Sequence, residues 1–246
     1  MHRKLAIILT LLSAIMFPGL SQAKVYMVAV GVADYPGTVN DLVMSANDAR
    51  RMASVYQQAT DAECVLITNS DATLSTVRRA MDRTFAKAGA DDIVVFFFSG
   101  HGTKGSFVLY DGFLDYGSVR KSMAKSKSKN KMIFADACFS GNIRTKKSSS
   151  RSDASAEKKS RKSNVMLFLS SRGNEKSYEG EGLRNSIFTT CLIEAIGGSA
   201  DRNRDNIISA KELFNFVSRN VARMSGDTQH PVMWGKFSDS MPVMRL

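Results

Sequence analysis

Histidine and cysteine are scarce in this chain, which has 246 residues and only three of each. The histidines are His2, His101 and His230, and the cysteines are Cys64, Cys138 and Cys191. Chemistry that needs an imidazole therefore has few residues to draw on. An odd number of cysteines leaves at least one free thiol in an exported protein. The sequence does not say whether Cys64 and Cys191 form a disulfide.

The N-terminal apolar stretch is too short for a membrane-spanning helix, which needs about 20 residues. It runs from Leu5 to Phe17, follows two cations and precedes the small residues Ser21-Gln22-Ala23. This order is typical of a secretory signal peptide. No cysteine follows it, so a lipid anchor is not indicated. We expect residues 1–23 to be a signal peptide and the protein to be periplasmic or extracellular, without a membrane anchor. An uncleaved N-terminal anchor is the alternative.

Aromatic residues are missing from the two strongly basic stretches of the chain. Residues 120–131 carry six lysines and arginines and no acid, and residues 144–163 carry eight against Asp153 and Glu157. The net charge is +11, but without these stretches the remainder is mildly acidic. Basic runs can bind polyanions. Nucleic-acid binding usually adds interleaved aromatics or a known motif, so we do not expect nucleic acid as a partner.

Short apolar runs alternate with amphipathic stretches along the chain. The runs predict strands over residues 25–32, 64–68, 92–98, 107–110, 131–135, 165–169 and 231–234. The amphipathic stretches predict helices over residues 41–58, 73–87, 114–123, 186–196 and 209–224. Alternation of strand and helix predicts an α/β fold with a parallel sheet.

Two of the predicted strands end in residues that could carry out chemistry. One leads into Ser99-Gly-His101-Gly102, and the other leads into Asp136-Ala-Cys138-Phe-Ser-Gly141. The carboxyl ends of parallel strands meet at one edge of a sheet, so neighbouring strands would place His101 beside Cys138. An imidazole lowers the pKa of a thiol, and the thiolate is the nucleophile. A buried cysteine and a structural histidine are the alternative, but the pairing favours a nucleophile and its base.

These two motifs resemble those of the caspase-like cysteine peptidases of family C14, and the metacaspase branch more than the true caspases. True caspases have Gln-Ala-Cys at the nucleophile, whereas this chain has Asp136-Ala-Cys138. His101 and Cys138 are 37 positions apart, fewer than the roughly 50 of caspases. The difference indicates shorter loops between the two strands.

The resemblance implies a caspase-like three-layer α/β/α sandwich with a mostly parallel sheet of about six strands. It would cover residues 24–246. Residues 24–144 would form a large part that carries the histidine and the cysteine. Residues 145–163 are rich in serine and lysine and poor in large apolar residues, which predicts a basic, disordered linker. Residues 164–246 would form a small part that completes the sheet.

The resemblance also assigns roles to individual residues. Cys138 would be the nucleophile and His101 the general base. Backbone N–H groups of Gly102 and Cys138 would bind the oxyanion. Asp48, Ser99 and Asp136 would form a pocket for a basic substrate side chain. Asp48 could instead be a solvated helix position, and Ser99 and Gly102 could be ordinary turn residues.

A further motif, separate from these two, has the spacing of an EF-hand calcium loop. Its ligand positions 1, 3, 5, 7, 9 and 12 are Asp201, Asn203, Asp205, Ile207, Ser209 and Glu212. Position 6 is Asn206 instead of glycine, although asparagine also adopts positive φ. The alternative is that Ser209 and Glu212 form a capping box at the start of the next helix. This loop is therefore a candidate calcium site with a structural alternative.

The sequence thus predicts a secreted or periplasmic cysteine endopeptidase that cleaves after arginine or lysine and cuts itself in the basic linker. Its partners would be proteins or peptides with basic residues, and itself. The chemistry needs no cofactor, and calcium is the candidate ion. The alternative function is a catalytically silent module of the same fold whose basic loops bind a polyanion.

Overall fold

Six strands form the central sheet in the computed structural model, which describes residues 23–103, 105–137, 165–171 and 184–246. Across the sheet they are β10 (Val232–Trp234), β8 (Val165–Leu169), β7 (Asn130–Asp136), β3 (Ile93–Ser99), β1 (Val25–Gly31) and β2 (Ala62–Thr68). Neighbouring strands are parallel except for β10, which is antiparallel to β8. The predicted mostly parallel sheet of about six strands is confirmed.

Helices cover both faces of this sheet. On one face lie α1 (Ser45–Ala59), α4 (Ile187–Glu194) and α5 (Ala210–Met224), and on the other lie α2 (Leu74–Phe85) and α3 (Tyr116–Lys125). The central strand β3 is buried along its whole length, with Phe97 facing one helical layer and Phe96 and Phe98 the other. Burying each such side chain contributes about 1.5–3 kcal/mol. The three-layer α/β/α architecture is confirmed.

Two small sheets accompany the large one. Strands β4 (Gly102–Thr103), β5 (Ser106–Val108) and β6 (Phe113–Asp115) form an antiparallel sheet directly after His101. Strand β9 (Ile207–Ser209) pairs with the C-terminal strand β11 (Pro242–Arg245). Apart from a single strand at 107–110, these elements were not predicted, because strands of two to four residues carry too little periodicity to be recognised.

Helix α1 begins at Ser45 and not at Asp41 as predicted. The Asp41 carboxylate accepts a hydrogen bond from the N–H of Tyr35 at 3.0 Å. The N–H of Leu42 donates to the carbonyl of Ala33 at 2.8 Å. Both bonds tie this segment to the loop that follows β1, so the helix starts later. As a result Asp48 lies in the first turn of α1.

A glycine at the end of β1 brings α1 close to the sheet. A Cβ atom on Gly31 would lie 2.8 Å from the Cβ of Ala49 and 2.9 Å from the Cα of Ala46. Real Cβ contacts are longer, so a side chain here would push the helix away. Gly31 therefore lets the first turns of α1 pack over the carboxyl ends of the strands.

The predicted linker, residues 145–163, lies outside the described residues. The strands on either side of it, β7 and β8, are parallel neighbours with Ala135 opposite Leu169. The predicted large and small parts therefore contribute to a single sheet.

The predicted signal peptide, residues 1–23, lies outside the described residues except for Ala23. In the parts of the chain that the structure describes, no helix has the combination of length and apolar character that crossing a membrane requires.

Candidate active site

The carboxyl ends of β3 and β7 lie side by side. The two strands are parallel neighbours, with Ser99 opposite Asp136. Beyond this pair, the N–H of Gly100 donates to the carbonyl of Asp136 at 3.1 Å, and His101 comes next. We predicted that His101 and Cys138 are neighbours because their strands would be parallel and adjacent. That pairing of the two strands is present. Cys138 itself lies outside the described residues.

The partly exposed imidazole of His101 is held by a backbone carbonyl. Its Nε2 atom lies 2.8 Å from the carbonyl oxygen of Asn40. A carbonyl can only accept, so Nε2 carries the proton in this arrangement. Nδ1 then carries no proton in the neutral ring, so it can accept one, as a general base must.

Gly102 follows His101 directly and begins strand β4. It pairs with Phe107 across the small antiparallel sheet and is partly buried. This places its backbone at the same edge as the imidazole. Its predicted role in binding an oxyanion stays a prediction, because the second donor belongs to Cys138.

Two buried carboxylates lie at the same edge of the sheet. Asp48 is 1% exposed and Asp136 is 4% exposed. The Asp48 carboxylate accepts a hydrogen bond from the hydroxyl of Ser99 at 2.8 Å, and another from the side-chain amide of Asn185 at 2.8 Å. The structure thus brings together the three predicted pocket residues, Asp48, Ser99 and Asp136. Ser99 is a hydrogen-bond donor to the carboxylate and not a turn residue.

The N-terminus of α4 points at both carboxylates. The N-cap residue Ser186 donates from its N–H to Asp48 at 3.1 Å and from its hydroxyl to Asp136. The Thr189 hydroxyl donates to the same Asp136 oxygen at 3.0 Å. The positive end of the helix dipole adds a favourable interaction with both negative groups. Ser186 therefore bridges the two acids.

Burial, and after it the nearby charge of Asp136, raise the pKa of Asp48 from its ordinary value near 3.8 to about 7. Hydrogen bonds from Asn185, Ser99 and Ser186 oppose the shift. Among the described residues, no lysine or arginine forms an ion pair with Asp48. The Asp48 carboxyl is therefore fully ionised only above neutral pH.

Comparison with known proteins agrees with this geometry. Residues 25–241 match the family model of the caspase domain of peptidase C14. The chain belongs to this family. Its members are in general cysteine peptidases. The histidine and the buried acids described above lie within the matched caspase domain.

Solved structures show the same fold at low sequence identity. A protein from Geobacter sulfurreducens is 16% identical with a TM-score of 0.65, covering 90% of this chain and 97% of its own. Caspase-1 from Spodoptera frugiperda is 13% identical with a TM-score of 0.61, covering 91% of this chain and 92% of its own. No curated protein sequence matches the chain significantly.

Several residues of this caspase domain site were not predicted. Asn40 acts through its backbone carbonyl, which leaves no signal in the side chain. Asn185, Ser186 and Thr189 lie around the start of α4, and none of the sequence motifs described above includes them. The pattern of a serine just before a predicted helix could have indicated Ser186 as an N-cap, but not its contact with the two acids.

The acidic loop of residues 201–212 is tied together by its own backbone. Asp201 accepts from the N–H groups of Asp205 and Asn206 at 3.2 and 3.0 Å. Ser209 and Glu212 form the capping box of α5, so the capping box that the sequence suggested as an alternative role is confirmed. In the described ranges, no three His, Cys, Asp or Glu side chains come close enough together to hold a metal ion. Calcium binding stays a prediction.

Replacing Asp48 with asparagine should stabilise the protein at alkaline pH. A raised carboxyl pKa means that the folded state holds more protons than the unfolded state between about pH 4 and 7, so stability falls as the pH rises through that range. An asparagine side chain at this position could keep the same hydrogen-bond partners without the charge. We expect the gain in unfolding free energy to be larger at pH 8 than at pH 5, on the order of 1–3 kcal/mol.

Urea unfolding at both pH values measures this difference. Asp71→Asn, at an exposed carboxylate, corrects for the change in net charge. An Asp48→Asn effect that is the same at pH 5 and pH 8 would contradict the assigned pKa shift.

Glu212→Ala should lower the melting temperature in the presence of a chelator, because it removes the half of the capping box that Glu212 contributes, a loss of about 0.5–1.5 kcal/mol. If the loop also binds calcium, calcium should raise the melting temperature of the parent and not of the variant. Thermal unfolding of both proteins with chelator and with calcium measures this. The absence of a calcium-dependent rise in the parent would leave the capping box as the only role of Glu212.

Proposed function

We propose that this protein is an exported cysteine endopeptidase that cleaves after arginine or lysine, with Cys138 as nucleophile and His101 as general base. The observation that carries the proposal is the joint position of His101 and the buried pair Asp48 and Asp136 at one edge of the sheet. A base beside a site for a cationic side chain is what cleavage after a basic residue requires. Cys138 follows Asp136 by two residues in the sequence.

In the proposed reaction, Nδ1 of His101 takes the proton of the Cys138 thiol, and the thiolate forms a bond to the carbonyl carbon of the substrate. Backbone N–H groups of Gly102 and Cys138 bind the resulting oxyanion. His101 then gives its proton to the leaving amine as the C–N bond breaks. Water hydrolyses the thioester that remains. The Asn40 carbonyl keeps the proton on Nε2, and it also interacts favourably with the imidazolium.

The preference for arginine or lysine follows from the charge of the pocket. A guanidinium or ammonium group near Asp48 and Asp136 favours the ionised form of both acids. A substrate aspartate would bring a third negative charge and would be rejected. A purely structural role, in which the acids only anchor the N-terminus of α4, predicts no preference for basic substrates.

The polyanion-binding alternative gains no support from the described part of the basic stretches. Within residues 120–131, Lys125 forms an ion pair with Asp82 at 3.3 Å and Lys129 forms one with Asp91 at 3.4 Å. Part of the positive charge there is therefore neutralised by acids of the same surface. The second basic stretch, residues 144–163, lies outside the described residues.

The purified protein should cleave peptides after arginine and lysine and not after aspartate. Cys138→Ala and His101→Ala should each lower kcat/KM by about 100-fold or more, since general acid–base catalysis contributes about 10²–10⁴-fold. Asp136→Asn should lower kcat/KM for arginine and lysine substrates. Fluorogenic peptides that differ only at the cleaved residue measure all three effects.

His230→Ala is the matched control for the histidine, because His230 pairs with the exposed Asp227 at 3.0 Å. It should leave turnover unchanged. Near-parent turnover in Cys138→Ala or His101→Ala would contradict the proposed pair. Retention on an anionic resin without any peptide cleavage would favour the polyanion-binding alternative.

The enzyme should also cut itself between residues 144 and 163, after arginine or lysine. This segment begins six residues after Cys138 and carries eight basic residues, and its composition predicts an exposed linker, which is where proteases cut. The two fragments should stay associated, because β7 and β8 pair across the cut. Intact mass and N-terminal sequencing identify the cleaved bond. Cuts after Asp153, or the same cuts in Cys138→Ala, would contradict self-processing.

A further inference from the structure

We propose that Tyr35 is a positioning residue that fixes the backbone and ring of the catalytic His101. The inference rests on the proposed function of His101 as general base. Tyr35 lies in the loop after β1 and is 5% exposed. Its hydroxyl oxygen accepts a hydrogen bond from the N–H of His101 at 2.9 Å. No substrate contact is needed for this role.

The Tyr35 hydroxyl closes a ring of hydrogen bonds around His101. It donates to the carbonyl of Val108 at 3.2 Å, and the N–H of Val108 donates to the carbonyl of His101 at 2.9 Å. Because the hydroxyl donates to one backbone group and accepts from another, its orientation is fixed. Both polar backbone atoms of His101 are thereby held.

The same loop also holds the imidazole. The Tyr35 ring lies 5.0 Å from the imidazole, centroid to centroid, and is tilted by 41°. The Asp41 carboxylate accepts a hydrogen bond from the N–H of Tyr35, and this bond closes the loop. Asn40 lies within the closed loop, and its carbonyl accepts the Nε2 proton of His101. The loop thus contacts His101 at its backbone, at its ring and at Nε2, and leaves Nδ1 for the reaction.

Because Gly100 has no side chain, the Tyr35 hydroxyl has room beside it. Its φ of +155° lies in a region that side chains disfavour, and a Cβ atom there would be 2.8 Å from the Tyr35 hydroxyl and 2.9 Å from the ring of Phe98. Burial raises the pKa of Tyr35 to about 12, so the hydroxyl remains a donor at the pH values where the enzyme would work. Packing alone would be served equally well by phenylalanine.

Tyr35→Phe keeps the ring and removes the hydroxyl, so it separates the hydrogen bonds of Tyr35 from the packing of its ring. The N–H of His101 loses its partner, and the imidazole is less well placed for proton transfer. We expect kcat to fall by about 10- to 100-fold, the size of effect that small misplacements of catalytic groups produce. KM should stay unchanged, because the hydroxyl does not contact the substrate.

The matched control is Tyr56→Phe. Tyr56 is fully buried, and its hydroxyl donates to a backbone carbonyl, that of Val243 at 3.5 Å, on the opposite face of the sheet. This variant loses a buried tyrosine hydroxyl without touching His101, so its kcat should equal that of the parent. An equal fall of kcat in both variants would overturn the proposal, because it would reflect general destabilisation.

NMR of the histidine rings tests the proposal without any need for activity. Only three histidines are present, so His101→Ala identifies the His101 signals. The parent should show the tautomer with the proton on Nε2, and Tyr35→Phe should show a mixture of tautomers. Unchanged His101 signals in Tyr35→Phe would overturn the inference.

These measurements separate the two proposals. If the parent cleaves no peptide, the proposed function fails, and the NMR comparison still decides whether Tyr35 positions His101. If Tyr35→Phe does not fold, hydrogen exchange of the His101 amide in the parent takes its place. A protected amide supports the bond to Tyr35, and rapid exchange overturns it.

Discussion

The burial of two carboxylates at one end of the central sheet is the constraint on which the local structure depends. Removing a charged group from water is costly unless hydrogen bonds or opposite charges offset it. Here the donors for Asp48 and Asp136 include Ser99 on β3 and Asn185, Ser186 and Thr189 at the start of α4. The cluster therefore joins α1, β3, β7 and α4, which come from both sides of the predicted linker.

This arrangement would link the stability of the proposed enzyme to its proposed specificity. The raised pKa of Asp48 shows that the hydrogen bonds do not fully compensate for its burial beside a second acid. In the proposed function, a cationic substrate side chain would bring an opposite charge to this site, and a ligand that binds only the folded state stabilises that state. In that function, a basic substrate would offset part of the electrostatic cost of burying Asp48, whereas a neutral substrate would not.

Much of this site follows from the sequence, and the remainder depends on tertiary contacts. The apolar runs before Ser99 and Asp136 were sufficient to predict two strands, and parallel pairing then placed their ends together. Nothing in the sequence indicates that the carbonyl of Asn40 meets His101, or that Ser186 bridges two acids, because backbone atoms and N-caps contact distant residues only after folding. The start of α1 was misplaced for the same reason, since Asp41 bonds to Tyr35.

The acidic loop shows why spacing alone does not identify a calcium site. Arg204 and Asn206 adopt positive φ angles of 61° and 63°, which turn the chain sharply between α4 and β9. In such a turn the backbone N–H groups point inward, and the carboxylate of Asp201 accepts two of them. The C-terminal strand β11 then pairs with β9, and the N–H of Leu246 donates to the carbonyl of Asn206 at 2.9 Å. Acidic residues at these positions therefore have a structural explanation that requires no ion, and only a calcium-dependent change in stability can separate the two roles.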